Sequence, residues 1–204
     1  MMQAFIKETA LAAPIPGRNV DTDQIIPARF LKADRSAGYG PFLFHDLRFT
    51  PDGTEREDFV LNQEPHRQAR ILVTDENFGC GSSREGAVYA LCDYGIKALI
   101  GPSFGDIFYN NALKNGLIPV RLPEEVVAGL RRELLTGPER GITIDLEAER
   151  VTFPDGTEHA LAIDPFWREC IMKGVDEVEL TLGYMPQIRD FEDRYLSEMR
   201  WINR

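Results

Sequence analysis

Between Arg70 and Arg121 the chain alternates short apolar runs with longer amphipathic ones, and that rhythm constrains the fold more than any other feature. Ile71-Leu72-Val73-Thr74 reads as a buried strand, the apolar spacing of Ala87, Val88 and Leu91 predicts a helix near 84–94, and a strand follows at 97–100. A second helix near 104–115 and a strand at 117–120 complete a βαβαβ unit, which requires a parallel sheet with helical crossovers. Around this unit, Phe5 to Ala10 alternates as a first strand, and Pro123 to Leu135 reads as a helix. Ile142-Thr143-Ile144, Val151-Thr152-Phe153 and His159-Ala160-Leu161 read as short strands, with Asp155-Gly156 as a hairpin turn. Ile163-Asp164-Pro165-Phe166 opens helices that run through Cys170 and then from Val175 to Leu182. Pro186 to Ile202 forms a charged amphipathic tail whose Arg and Glu pairs suit a solvated helix face. At 204 residues, with no internal repeat or low-complexity tract, the expectation is one α/β domain spanning 1–204 with a C-terminal helical tail.

The chemistry is concentrated where the first strand of the unit turns into its first helix, at Asp75-Glu76-Asn77-Phe78-Gly79-Cys80-Gly81-Ser82-Ser83-Arg84-Glu85. The first backbone N–H groups of a helix have no intrahelical partner, and the dipole adds about half a positive charge there, so such a turn suits an anion. Gly79 and Gly81 allow close backbone approach, and Arg84 brings a planar fork that matches a carboxylate. Glycines and serines also serve plain turn geometry and capping. Three familiar motifs are excluded. The Gly-Lys-Ser/Thr ending of a P-loop is missing, the third glycine of a dinucleotide fingerprint would fall at Arg84, and Gly81-Ser82-Ser83-Arg84-Glu85 lacks the last glycine of an esterase elbow.

A net charge of −10 argues against a nucleic-acid surface or an anionic membrane as partner. No apolar run approaches the ~20 residues needed to span a bilayer, and the Met1-Met2-Gln3-Ala4-Phe5-Ile6-Lys7 start carries no secretory pattern, so a cytoplasmic location is expected. Cys80, Cys92 and Cys170 are widely spaced and form no Cys-x-x-Cys, which argues against a disulfide framework or a metal site made by this chain alone. Cys92 and Cys170 fall in apolar helical patterns and read as core. Cys80 sits near a helix start, where a thiol pKa can fall, yet no imidazole among His45, His66 and His159 is tied to it by sequence.

Asn19-Val20-Asp21-Thr22-Asp23 precedes Ile25-Ile26-Pro27; its acidic residues suit either capping of a short helix or a place beside the glycine turn. Residues 32–56, with Gly38, Gly40, Pro41, Pro51 and Gly53, read as a long mobile connection of the kind that closes over ligands. Pro102-Ser103-Phe104-Gly105-Asp106 reads as the cap of the second helix, with Ser103 as the capping side chain.

Four blocks in order then give a resemblance over nearly the whole chain: residues 19–27, Phe78 to Glu85, Ile100-Gly101-Pro102-Ser103-Phe104 through Gly116-Leu117, and Asp164-Pro165-Phe166 with Leu180-Thr181-Leu182. The chain resembles the small subunits of 3-isopropylmalate dehydratase in the aconitase superfamily, and its length resembles the bacterial form. The resemblance implies a swivelling β/β/α domain that completes the active site of a separate large subunit carrying a [4Fe-4S] cluster, acting on a small dicarboxylate in leucine biosynthesis. It implies Ser82 as the catalytic base, with Ser83, Arg84, Asp21 and Thr22 on the substrate side and Gly79, Cys80 and Gly81 lining the anion-binding turn. It also associates substrate choice with Phe30-Leu31-Lys32-Ala33-Asp34-Arg35. There Phe30 or Leu31 would suit an isopropyl group, and Lys32 or Arg35 an added carboxylate, as in relatives acting on homoaconitate, methylmalate or dimethylmalate. A stand-alone anion-binding module is the non-enzymatic alternative.

Overall fold

The computed structural model describes residues 3–137, 141–199 and 201; Ile202, the far end of the expected tail, lies outside them. Among the described residues, seven strands form one mixed sheet in the order β4-β3-β2-β1-β5-β6-β7. The parallel half comprises β1 (Lys7–Pro14), β2 (Ile71–Val73), β3 (Ala98–Gly101) and β4 (Ile118–Arg121), joined through α3 (Glu85–Tyr94) and α4 (Asp106–Lys114). The antiparallel half comprises β5 (Gly141–Asp145), β6 (Arg150–Thr152) and β7 (Glu158–Ala160). The βαβαβ unit is therefore present, with boundaries within about two residues of those read from periodicity.

The hinge of the sheet is β1. Its first residues pair antiparallel with β5, from Lys7 opposite Asp145 to Leu11 opposite Gly141. Its last three, Ala12 to Pro14, pair parallel with Ile71 to Val73. Pro14 has no N–H to donate, which suits the last position of a strand.

Alternate residues of the central strands feed two cores. Ala13, Leu72 and Leu99 face a layer built by α1 (Thr22–Ile25), α3 and the aromatic segment around residues 39–44. Ala12, Ile71, Val73, Ala98 and Ile100 face α5 (Glu124–Thr136), whose Val127, Leu130 and Leu134 recur at helical spacing, with Glu124 and Glu125 complementing its N-terminal dipole. The chain closes with α6 (Pro165–Lys173), α7 (Glu177–Leu182) and α8 (Met185–Glu198), the last with no buried residue.

Residues 32–56 differ from expectation. They fold into 3-10 turns and the short helix α2 (His45–Arg48), with Tyr39, Leu43 and Phe44 buried. Phe30 stacks on Phe42 at 4.3 Å between ring centres, and Phe44 meets Phe59 and Phe78. Burial of aromatic rings outweighs the flexibility suggested by glycine and proline here, since each fully buried large apolar side chain is worth about 1.5–3 kcal/mol. The segment is a packed flap rather than a free lid.

Candidate functional site

The loops that follow β1, β2 and β3 leave adjacent parallel strands from the same edge, so the topology alone gathers them at one place. Residues 19–22 run beside residues 76–82. Asn19 N donates to Glu76 O at 2.9 Å, Gly79 N to Val20 O at 2.7 Å and Thr22 N to Cys80 O at 3.0 Å. Asn19 and Asn77 adopt left-handed backbone conformations, which Asn tolerates best after Gly, and their side chains bond each other at 2.7 Å. The loop after β3 closes the other side, with Phe78 N donating to Ser103 O at 3.2 Å and Gly105 N to Phe78 O at 2.9 Å. Arg131 of α5 donates to Asp75 at 2.5 Å and anchors the start of the glycine turn from the far layer.

Two glycines make this packing possible. Gly79 has φ +74°, and a Cβ there would lie 2.2 Å from the Phe108 ring. A Cβ on Gly105 would lie 2.7 Å from Gly79 O. The start of α4 is thus pressed directly onto the glycine turn.

The result is a cavity of about 290 Å³ lined by Thr22, Gly79, Cys80, Gly81, Ser82 and Arg84 on one side and by Gly105, Asp106, Ile107, Phe108 and Asn111 of α4 on the other. Neither α3 nor α4 has a side-chain cap among the described residues. The N-terminal ends of both helices therefore direct unpaired N–H groups and positive dipole ends towards this cavity, with the Asp106 carboxylate also on its wall. Ser82 is exposed and held by its backbone: Thr22, 2% exposed, donates its hydroxyl to Ser82 O at 3.0 Å, and Arg84 N donates to the same oxygen at 2.8 Å. Arg84 donates through Nη1 to Asp23, and that carboxylate also accepts from Ala28 N at 3.3 Å. The guanidinium is thereby held from one corner.

The sequence-derived residues divide. Ser82, Arg84, Thr22, Gly79, Cys80 and Gly81 share the cavity, whereas Ser83 is exposed next to it and does not line it. Asp21 closes a capping box on α1, accepting from Gln24 N at 2.8 Å while Asp21 N donates to Gln24 Oε1 at 3.0 Å. Lys32 is exposed and outside the cavity lining. Arg35 forks onto Asp93 at 2.7 and 3.2 Å and lies 4.3 Å from the Tyr89 ring centre, in a separate cavity of about 520 Å³. Phe30 and Leu31 are partly buried and pack against the core, with Leu31 directly over Gly86.

Two expectations change. Ser103 does not cap α4, whose N-cap is Gly105; its hydroxyl accepts from Asn77 N at 2.8 Å and braces the glycine turn. The Cys80 thiol pKa is raised rather than lowered, by burial first and then by the charge of Asp21, so the thiol form is favoured. Burial also pushes the Cys92 thiol up to about 11, and Cys170 is buried. Among the described residues no group of three His, Cys, Asp or Glu side chains is placed to hold a metal ion.

Sequence reasoning missed Asp23 as the partner of Arg84 and missed Ile107 and Asn111 as cavity residues. The acidic turn could be read equally as capping, so Asp23 carried no separate signal. The α4 residues were foreshadowed by the βαβαβ order itself, since it places the loops after β2 and β3 side by side.

Residues 2–125 match the family described as the Aconitase C-terminal domain. A 3-isopropylmalate dehydratase small subunit from Gluconacetobacter diazotrophicus is 48% identical over 203 residues, covering 100% of this chain and 98% of the relative. One from Rhodospirillum centenum is 49% identical over 200 residues, covering 98% of each. A crystal structure of 3-isopropylmalate dehydratase from Methanocaldococcus jannaschii superposes with a TM-score of 0.65 at 28% identity, covering 91% of this chain and 99% of that one.

Proposed function

The chain belongs to the Aconitase C-terminal domain family and, within it, to the small subunits of 3-isopropylmalate dehydratase; from that premise we propose that it works with a large subunit to interconvert 2- and 3-isopropylmalate through 2-isopropylmaleate in leucine biosynthesis, in the cytoplasm. The observation that carries the site assignment is the shared cavity: Ser82 and Arg84 sit together where the N-terminal ends of α3 and α4 converge.

Ser82 is the proposed base. It removes a proton from C3 of 2-isopropylmalate as the C2 hydroxyl leaves, and returns one to C2 when water adds at C3, so protons and water balance over the cycle. A serine hydroxyl is a poor base unless its anion is stabilised, and the field of the two helix starts together with Arg84 supplies that stabilisation. Arg84, steadied by Asp23 at one corner, keeps the rest of its fork for a substrate carboxylate, with Ser83 adjacent. Thr22 fixes the Ser82 backbone, and Cys80 stays protonated as part of the wall.

No metal-ligand group occurs among the described residues. In this reading the [4Fe-4S] cluster is carried by the large subunit, where it would supply Lewis-acid activation of the hydroxyl. No helix among the described residues is long and apolar enough to cross a membrane.

The test is anaerobic hydration of 2-isopropylmaleate, followed by loss of its conjugated ultraviolet absorbance, with this chain, with a cluster-loaded large subunit from the same genome, and with both. Activity only in the mixture supports the reading. A stable complex inactive on this substrate redirects it to related dicarboxylates, and absence of a complex refutes it.

A further inference from the structure

We propose that Arg131 of α5 is a positioning residue for Ser82, an inference that rests on reading Ser82 as the base of a dehydratase. Arg131 lines no part of the cavity that holds Ser82 and Arg84, so it reaches the reaction only through what it holds. Its Nη1 donates to Asp75 Oδ2 at 2.5 Å, just beyond the end of β2, where the chain enters the glycine turn. The helix that carries it is fastened to the sheet by Val127, Leu130 and Leu134, which share a core with Ile71 and Val73 of β2. Downstream of Asp75, the N–H groups of Asn77, Phe78 and Gly79 donate to Ser103 Oγ, Ser103 O and Val20 O, all in neighbouring loops. Arg131 therefore ties the start of the turn to a layer packed on the sheet, while these later bonds tie loop to loop.

Two observations separate this link from an ordinary ion pair. The side chains of Arg131 and Asp75 are 20% and 23% exposed, whereas Arg18, which joins Glu76 to Glu124 of α5, and both its partners are half exposed or more, where ion pairs are screened and weak. Arg131 Nε is also buried with no hydrogen-bond partner among the described residues. An unpaired buried donor subtracts from stability, and a part-buried ion pair adds little over an apolar pair of the same size. Stability thus gives a weak reason for this pair, and geometry gives a stronger one. Between Asp75 and Ser82 the backbone is left-handed at Asn77, Gly79 and Gly81, and glycine resists rotation little, so a displacement at Asp75 is passed along to the Ser82 hydroxyl. Arg84 is held separately by Asp23, so the same displacement reaches it less.

The experiment measures kcat and KM of the assembled complex for hydration of 2-isopropylmaleate, with wild-type chain, Arg131→Met, Asp75→Ala, the double variant and Arg131→Lys. All are assayed below the melting temperature of every variant, with complex affinity measured by sedimentation. A catalytic group misplaced by about 1 Å loses on the order of a hundredfold. With the loop contacts retained, kcat is expected to fall about tenfold in Arg131→Met and in Asp75→Ala, with KM within about threefold of wild type and complex affinity unchanged. The double variant should lose no more than the larger single loss, because both changes cut one link. Arg131→Lys keeps a charged donor for Asp75 and removes the unpaired Nε, so it should recover most of kcat. Wild-type kcat in both single variants, a double loss equal to the product of the single losses, a rise in KM matching the fall in kcat, or a loss in Arg131→Lys as deep as in Arg131→Met would each overturn the inference. A wild-type complex inactive on 2-isopropylmaleate would instead strike the reading on which the inference rests, a result distinct from variants that match an active wild type.

Discussion

Replacing Gly105 with alanine tests whether the glycine turn is positioned by α4. Gly105 has φ −57°, so alanine meets no backbone strain, and its effect reports contact alone. The new Cβ would lie 2.7 Å from Gly79 O and 3.1 Å from Cys80 Cα, whereas ordinary contact begins at 3.4 Å. Either α4 or the turn must yield by about 0.7 Å, and both obstructing groups are backbone, which has no rotamer to escape into. Overpacking of this kind costs about 1–3 kcal/mol. In a chain of this size, about 2 kcal/mol lowers Tm by roughly 4–8 °C. Activity should fall further than stability explains, because a misplacement of about 1 Å in a catalytic group costs on the order of a hundredfold. About tenfold is expected at saturating partner. Gly129→Ala is the control: nothing lies within 4 Å of its Cβ position on α5, so it should stabilise by about 0.5–1 kcal/mol without touching activity. Thermal melting of each variant, with hydration of 2-isopropylmaleate by the assembled complex, reads both effects. If Gly105→Ala melted within a degree of wild type and kept full turnover, the close docking of α4 on the turn would be refuted.

Arg84→Lys keeps the charge and loses the fork, so KM of the complex should rise about 10–100-fold with a smaller change in kcat, measured by initial rates; an unchanged KM would remove Arg84 from substrate binding. Arg29 donates to Asp46 and holds its carboxyl down to about 2, below the ordinary 3.8. A carboxyl depressed in this way stabilises the folded state above its unfolded value and loses that contribution as pH falls through the folded value. The urea midpoint of wild type should therefore exceed that of Asp46→Asn most above about pH 4, with the gap closing towards about pH 2; a gap independent of pH would contradict it. The half-exposed setting of this pair keeps the effect small.

The parallel unit was legible because each of its strands is a short apolar run and each helix buries one face. The double pairing of β1 was not legible, since nothing within Lys7–Pro14 marks where its partner changes from β5 to β2. In residues 32–56 the glycines and prolines drew attention from the aromatic residues Tyr39, Phe42 and Phe44, whose burial decides the structure. At the site, the anion-binding character of the Gly79–Arg84 turn could be read from residue types alone. The bond between Arg84 and Asp23, sixty-one residues apart in sequence, could not. Arg35 shows the same limit: its charge suggested a carboxylate partner, and the fold supplies Asp93 from α3. Ser103 illustrates a local rule overridden, because the turn before α4 serves the neighbouring loop before its own helix.

The most direct test of the account is turnover by Ser82→Ala in the assembled complex, with assembly verified by sedimentation. Ser82 is exposed, and the hydrogen bonds that shape its turn run through its backbone oxygen, so the substitution should leave folding and assembly intact. Loss of a general base predicts a fall of roughly 10²–10⁴-fold in kcat, with comparable loss of deuterium exchange from solvent into the substrate carbon. Near-normal turnover and exchange in a fully assembled complex would contradict the assignment of Ser82 as the base.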